Sequence, residues 1–166
     1  MGVAQEINVK EWLWRYRNAK LAVQRLQGEY DELVSIQESV GTVNYDGMPH
    51  GSGDNHDLSD LMIVRDRMLT NLIRAKHRMT VSYDEITDAI SHLDNELKRS
   101  IISLRYVQLK HDNEPNSLSD VADLIKYEYS YVRKVHGEAL LDLRIIIPQI
   151  AKTHKKEQKV KKSNKK

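Results

Sequence analysis

Apolar side chains recur every seven residues along the first forty positions of the chain, and a second apolar set fills the position between them. The first set is Trp12, Ala19, Leu26, Leu33 and Val40, and the second is Tyr16, Val23 and Tyr30. Such heptad spacing is typical of a long helix whose apolar stripe packs against a partner helix. Asn8 and Glu11 have the form of a capping box, so the helix is predicted to begin there.

A second helix is predicted from about Leu58 to Met79, where apolar residues share one face and Arg65 is the single charged intruder. The segment between the two helices, residues 41–57, is rich in Gly and polar residues, which is typical of a connecting loop. The two helices can therefore pack as an antiparallel, coiled-coil-like hairpin over residues 8–80. Arg65 is expected to extend past the apolar face or to pair with a carboxylate of the first helix.

A further capping box, Ser82 with Glu85, marks the predicted boundary between this hairpin and the C-terminal half. The pattern predicts that a new helix begins there and continues to about Lys110, and residues 91–94 are compatible with a bend in it. A polar loop at residues 111–116 follows.

Two short helices are predicted beyond this loop. Ser117 with Asp120 caps the first, and the apolar residues from Val121 to Val135, Tyr127 among them, recur at a spacing that suits two helices crossing at a steep angle. Pro148 is expected to end the last helix. The chain is therefore predicted to be all-α, with a helix-turn-helix domain at residues 82–147 after the hairpin.

The second of these short helices carries side chains suited to reading DNA near its N-terminus. They are Tyr129, Ser130, Tyr131, Arg133 and Lys134. Arg can make a bidentate contact to guanine, whereas Lys, Ser and Tyr can reach phosphate oxygens or base edges. We therefore expect these residues to contact double-stranded DNA in the major groove. His136 lies close to buried positions, so it is expected to be partly buried or bonded to the backbone instead.

The net charge of +2 hides a basic C-terminal segment. Residues 152–166 contain eight Lys and one Glu, which gives this tail +7 and leaves residues 1–151 with −5. A block of like charge is expected to be disordered and to attract polyanions without sequence preference, although a purely solubilising tail is the alternative. The lysines assigned to this non-specific DNA contact are Lys152, Lys155, Lys156, Lys159, Lys161 and Lys162.

Several segments of the C-terminal half resemble a known regulatory module. The stretch from Leu93-Asp94 through Leu104-Arg105-Tyr106, then Val121-Ala122, then residues 132–140, looks like the fourth region of bacterial sigma factors, a helix-turn-helix that reads an upstream promoter element. The whole chain, including the Gly-rich loop at residues 46–53, resembles more closely a family of phage-encoded proteins similar to the ArpU and RinA late-transcription regulators.

This resemblance implies phage transcription control, with residues 129, 130, 131, 133 and 134 at the positions that touch DNA. The sequence departs from the sigma-like pattern at two positions. Lys126 stands in the inter-helix turn, where Gly is usual, and would cost about 1 kcal/mol if it adopts positive φ. Glu128 stands where Ser or Thr usually caps the second helix, although a carboxylate there still complements the helix dipole.

Motifs for catalysis and for cofactors are absent from the sequence. The chain has no Cys, no phosphate-binding Gly motif and no nucleophile elbow, so we expect neither an enzyme nor a bound cofactor. His50, Asp54 and His56 have donor types suitable for zinc, but a third strong ligand is missing nearby and no metal site is assigned. The lack of Cys and of a long apolar run favours a cytoplasmic protein without membrane contact. The resemblance to phage proteins implies that this cytoplasm is that of a bacterial host cell.

Three roles remain open at the level of the sequence. The first is a transcriptional regulator that binds promoter DNA and contacts RNA polymerase, or forms a homodimer, through its N-terminal helices. The second is a DNA-packaging protein similar to a small terminase subunit, with an oligomerising helical segment. The third is a protein-interaction module that captures a host factor, because residues 92–144 hold eight basic and nine acidic residues and are not basic overall.

Overall fold

The computed structural model describes the backbone of residues 7–41 and 55–163, with side chains for residues 7–38 and 60–151. These residues form five helices and no strand: α1 Val9–Gly41, α2 Asn55–Ser91, α3 Glu96–Tyr106, α4 Leu118–Ile125 and α5 Tyr129–Ser163. The all-α prediction is confirmed. Within the same ranges, none of the helices combines the length and the apolar character needed to cross a bilayer.

The chain divides into two compact units. The first unit joins Met1–Asn18 to Thr80–Lys166, and the second unit is Ala19–Met79. Both α1 and α2 continue without interruption from one unit into the other. The start of α1 therefore belongs with the C-terminal half of the chain, which the sequence pattern does not predict.

The first unit is built around a buried cluster to which α1, α2, α3 and α5 all contribute. Its fully or almost fully buried members are Val9, Leu13, Ile86, Ala89, Ile90, Leu93, Ile102, Tyr106, Ala139, Leu143 and Ile147. Trp14 packs against Tyr106 with ring centroids 4.5 Å apart, and Arg15 forms a 2.7 Å ion pair with Glu85. These contacts anchor the start of α1 to α2 and α3.

The second unit holds the rest of α1 and most of α2 side by side. The amide oxygen of Gln27 accepts a 3.0 Å hydrogen bond from Lys76, and that of Gln37 accepts a 3.3 Å bond from Arg65. Because the later residue of α1 meets the earlier residue of α2, the two segments run antiparallel. Arg65 thus bonds to an amide of α1 and not to the carboxylate that the sequence analysis offered as its partner.

The helix boundary predicted at Ser82 is wrong, because α2 continues through it to Ser91. A capping box can start a helix, but no Gly or Pro between residues 58 and 91 ends the preceding one. Glu85, the supposed capping residue, is used in the ion pair with Arg15. The real break lies after Ser91, and Asn95 caps α3 by accepting a 2.8 Å hydrogen bond from the backbone N–H of Leu97.

The helix end predicted at Pro148 is also wrong. Pro148 lies inside α5 and does not end it. Its neighbours hold the turn in place, because Ile147 is buried in the core of the first unit and Ile146 and Ile150 pack against that core. The helix then continues to Ser163, so the backbone of residues 152–163 belongs to α5. The expected disorder of the basic tail stays a prediction.

The Gly-rich connection lies mostly outside the described residues. The predicted loop at residues 41–57 overlaps both helices at its ends, because α1 includes Gly41 and α2 begins at Asn55. Residues 42–54, including His50 and Asp54, lie outside the described residues, as does the side chain of His56.

Candidate nucleic-acid interface

The N-terminus of α4 is fixed by the capping box that the sequence predicts. The backbone N–H of Asp120 donates to Ser117 Oγ at 3.0 Å, and the backbone N–H of Ser117 donates to Asp120 Oδ2 at 2.7 Å. Lys110 pairs with the same carboxylate at 2.8 Å. The hydrogen bond from Lys110, followed by those from Ser117, lowers the pKa of Asp120 to about 2. The prediction of a capped helix here is confirmed.

The connection from α3 to α4 is held by a buried asparagine. Asn116 Nδ2 donates to the carbonyl oxygens of Leu104 and Gln108, each at 2.7 Å. The backbone carbonyl of Asn116 accepts a 2.7 Å hydrogen bond from Arg105 Nη1. These bonds satisfy carbonyl groups at the end of α3 that the helix leaves unpaired, and they fix where α4 can begin.

The turn between α4 and α5 contains only residues 126–128. Lys126 adopts the left-handed conformation, with φ 57° and ψ 44°, and its N–H bonds to the carbonyl of Ala122. The N–H of Tyr127 bonds to the same carbonyl at 3.1 Å. The turn therefore requires the positive φ that Gly adopts without strain, although Lys occupies it.

The inner sides of α4 and α5 pack against α3, and all three helices contact one another. The buried members of this second cluster are Ile101, Val121, Ala122, Val132 and Val135. Val121 and Val132 have no exposed surface. The cluster thereby fixes which side of α5 faces away from the protein.

The five residues predicted to contact DNA all lie within the first two turns of α5, and all are exposed. Tyr129 is 49% exposed and Tyr131 is 46% exposed. Arg133 and Lys134 follow on the same outer side, because the residues at 132, 135 and 136 are buried. The structure thus places all five candidate residues in the first two turns of α5 and exposes each of them to solvent.

Tyr127 is a surface residue that the sequence does not predict. Its position suggests one of the apolar sites of the helix pair, but it lies in the turn and is 50% exposed. Its ring stacks on that of Tyr131, with centroids 5.8 Å apart and planes 24° apart. The four-residue spacing of the two tyrosines is the signal that could have revealed this contact.

The charge of this surface is balanced. Between residues 123 and 138 the exposed charged side chains are three basic and three acidic: Lys126, Arg133, Lys134, Asp123, Glu128 and Glu138. Ser130 Oγ donates a 2.9 Å hydrogen bond to Glu128. A phosphate that approaches Ser130 would therefore have to replace this carboxylate as its partner.

His136 joins α5 to α3 on the buried side. Its Nε2 lies 3.2 Å from the hydroxyl of Tyr106, and the two rings stack at 5.9 Å. Burial, reinforced by the charges of Arg105 and Lys10, lowers the pKa of His136 to about 4. The imidazole is therefore neutral near pH 7, and its Nε2 shares a hydrogen bond with the Tyr106 hydroxyl. The expected burial is confirmed, but its bonding partner is a side chain.

The basic tail lies at the far end of the same helix. Lys152 follows Tyr129 by 23 residues within α5, which corresponds to roughly 35 Å along a helix axis. Among the described residues, no group of three or more His, Cys, Asp or Glu could hold a metal ion.

Comparison of the chain with family models, with curated proteins and with solved structures gave no match. The interpretation of this surface therefore depends on its own geometry and on the residues that it presents.

Proposed function

We propose that this protein is a transcriptional regulator of the phage type that its sequence resembles, and that it binds promoter DNA through α4 and α5. The observation that supports this most is that one side of the first turns of α5 is buried and the other side is exposed. Val132 and Val135 are buried against α3 and α4, whereas the five candidate residues face solvent. A recognition helix needs this arrangement, because its outer side must be free to enter the major groove.

The chemistry of the outer side also fits this role. Arg133 can make two parallel hydrogen bonds to guanine, and Lys134 can neutralise a phosphate. The short turn at Lys126 resembles the three- to four-residue connection of helix-turn-helix motifs. In this proposal α5 enters the groove by its first turns, while α4 lies across the DNA backbone.

The second unit would supply a protein contact, either to RNA polymerase or to a second copy. It exposes several large apolar side chains on α2: Met62, Ile63, Val64, Leu69 and Ile73. Clustered exposed apolar residues are typical of interaction surfaces. The same feature fits the oligomerising segment of a packaging protein, and a ring of about eight or more subunits in light scattering would favour that alternative.

The proposal is tested by selection of bound sequences from random duplex DNA at about 150 mM salt, where surface charges are screened as in a cell. The full chain is compared with an Arg133→Ala, Lys134→Ala double variant. An Arg74→Ala, Arg78→Ala variant removes the same charge from exposed positions of α2 and is the matched control.

We expect the wild type and the control to enrich one sequence motif that the double variant fails to enrich. If no protein enriches a motif, direct reading of DNA by α5 is wrong. Binding to a host protein that survives nuclease treatment and removal of the tail would then favour the protein-interaction module.

A further inference from the structure

Three exposed tyrosines lie at the junction of α4 and α5. Tyr127, Tyr129 and Tyr131, here called the tyrosine patch, are each about half exposed. Basic side chains at positions 126, 133 and 134 belong to the same stretch of chain and are exposed as well. Aromatic rings interleaved with cations suit a surface that meets the bases and phosphates of DNA together.

The residues of this surface limit which bases it can read. Arg133 is suited to guanine, but the first ten residues of α5 contain no Asn or Gln, the side chains that read adenine by paired hydrogen bonds. The C5-methyl of thymine is the one apolar group that a base pair presents in the major groove. Aromatic carbon is therefore the means by which the rings of the tyrosines can recognise an A·T pair.

We infer that the tyrosine patch reads thymine through its C5-methyl group, so that target sites carry thymines beside the guanine contacted by Arg133. The inference rests on the proposed function, since it requires α5 to lie in the major groove. The stack of Tyr127 on Tyr131 supports it further, because the two rings hold each other in place before DNA arrives. An apolar surface that is already ordered loses less side-chain entropy on binding.

The test uses the duplex motif obtained by selection with the full chain. Each thymine in turn is replaced by deoxyuridine, which removes one methyl group and leaves the base-pairing groups unchanged. At each thymine that contacts the patch, we expect about fourfold weaker binding, the effect of losing one buried methyl group. Thymines elsewhere in the duplex should give equal affinities with either base.

Variants of the tyrosines show whether the rings cause this difference. Tyr131→Ala and Tyr129→Ala should bind the thymine and deoxyuridine duplexes about equally at the affected positions. Tyr131→Phe and Tyr129→Phe keep the ring without the hydroxyl, are matched controls, and should retain the fourfold difference. Circular dichroism of each variant verifies that the helices are intact.

The outcomes separate this inference from the proposed function. A motif that depends on Arg133 and Lys134 but binds equally well with deoxyuridine at every position overturns the thymine reading alone. The same holds if the Ala variants discriminate as the wild type does. Failure to select any motif overturns the proposed function itself.

Discussion

The left-handed conformation of Lys126 concentrates strain in a single residue of the turn before α5. For a residue with a Cβ, this conformation costs about 1 kcal/mol or more of conformational free energy, whereas Gly adopts it freely. The sequence identifies the position, because Gly is usual in such turns. From the sequence alone, the strain depends on whether Lys126 adopts a positive φ. The observed φ of 57° shows that it does.

Replacement of Lys126 by Gly should therefore stabilise the protein. We expect Lys126→Gly to raise the free energy of unfolding by about 0.5–1 kcal/mol, because relief of strain exceeds the extra freedom that Gly gives the unfolded chain. Urea denaturation measures this as a higher midpoint. Lys126→Ala removes the same charge but keeps a Cβ, so an equal gain in that variant would show that φ is not the cause.

The neutral histidine on α5 gives the stability of the protein a pH dependence. Since the pKa of His136 is about 4 in the folded protein and 6.5 ordinarily, the unfolded chain binds a proton first as pH falls. Stability contributed by His136 is thus fully present above about pH 6.5 and is lost as pH falls from there through 4.

Urea midpoints measured between about pH 7.5 and 4 test this dependence. Carboxylates titrate in part of the same range, so the informative quantity is the difference between wild type and His136→Gln. We expect the variant to lose less stability than the wild type on acidification. His111→Gln, at an exposed loop position, should follow the wild-type profile, and parallel profiles for His136→Gln and wild type would refute the assignment.

The sequence best predicts those helix ends that are determined by residues close to them in sequence. The capping box of α4 requires only Ser117 and Asp120, and it forms as predicted. The similar pair at Ser82 and Glu85 fails, because a helix end also needs something to stop the previous helix and Glu85 has a partner 70 residues away in sequence. Local patterns therefore predict helix starts only where tertiary contacts do not compete for the same residues.

The start of α4 should be sensitive to the buried Asn116. We expect Asn116→Ala to lower the free energy of unfolding by about 2–3 kcal/mol, because two hydrogen bonds are lost and two carbonyl groups lose their partner. Chemical denaturation gives the difference directly. Asn71→Ala, at an exposed position of α2, should stay within about 0.5 kcal/mol of wild type. Equal effects would show that the Asn116 bonds do not hold the α3–α4 connection.

At the scale of the whole molecule, the heptad pattern of α1 predicts a helix but not its partner. The pattern assigns Trp12 and Tyr16 to the seam, yet the residue without exposed surface is Leu13. Periodicity shows that one face of α1 is apolar. It cannot show that this face packs against elements that follow nearly a hundred residues later in the sequence. The exposure of the candidate DNA-contacting residues was easier to predict, because they lie within six positions of one helix.

Truncation of Leu13 should therefore destabilise the first unit. We expect Leu13→Ala to cost about 2–5 kcal/mol, as is usual for a fully buried leucine. Leu21→Ala, on the same helix but 37% exposed, should cost less than about 1 kcal/mol. Thermal unfolding followed by circular dichroism compares the two, and similar losses would contradict the anchoring of α1 in this core.

The order in which the chain is synthesised has a consequence for its folding. Leu13 shares a core with Leu143 and Ile147 of α5, so the start of α1 leaves the ribosome about 130 residues before its last partners. At roughly 5–20 residues per second, this leaves an apolar helix end exposed for on the order of ten seconds. The second unit lies wholly between these segments in sequence, so it is synthesised before the core of the first unit can be completed. The start of α1 therefore reaches its buried position only after this part of α5 has been synthesised.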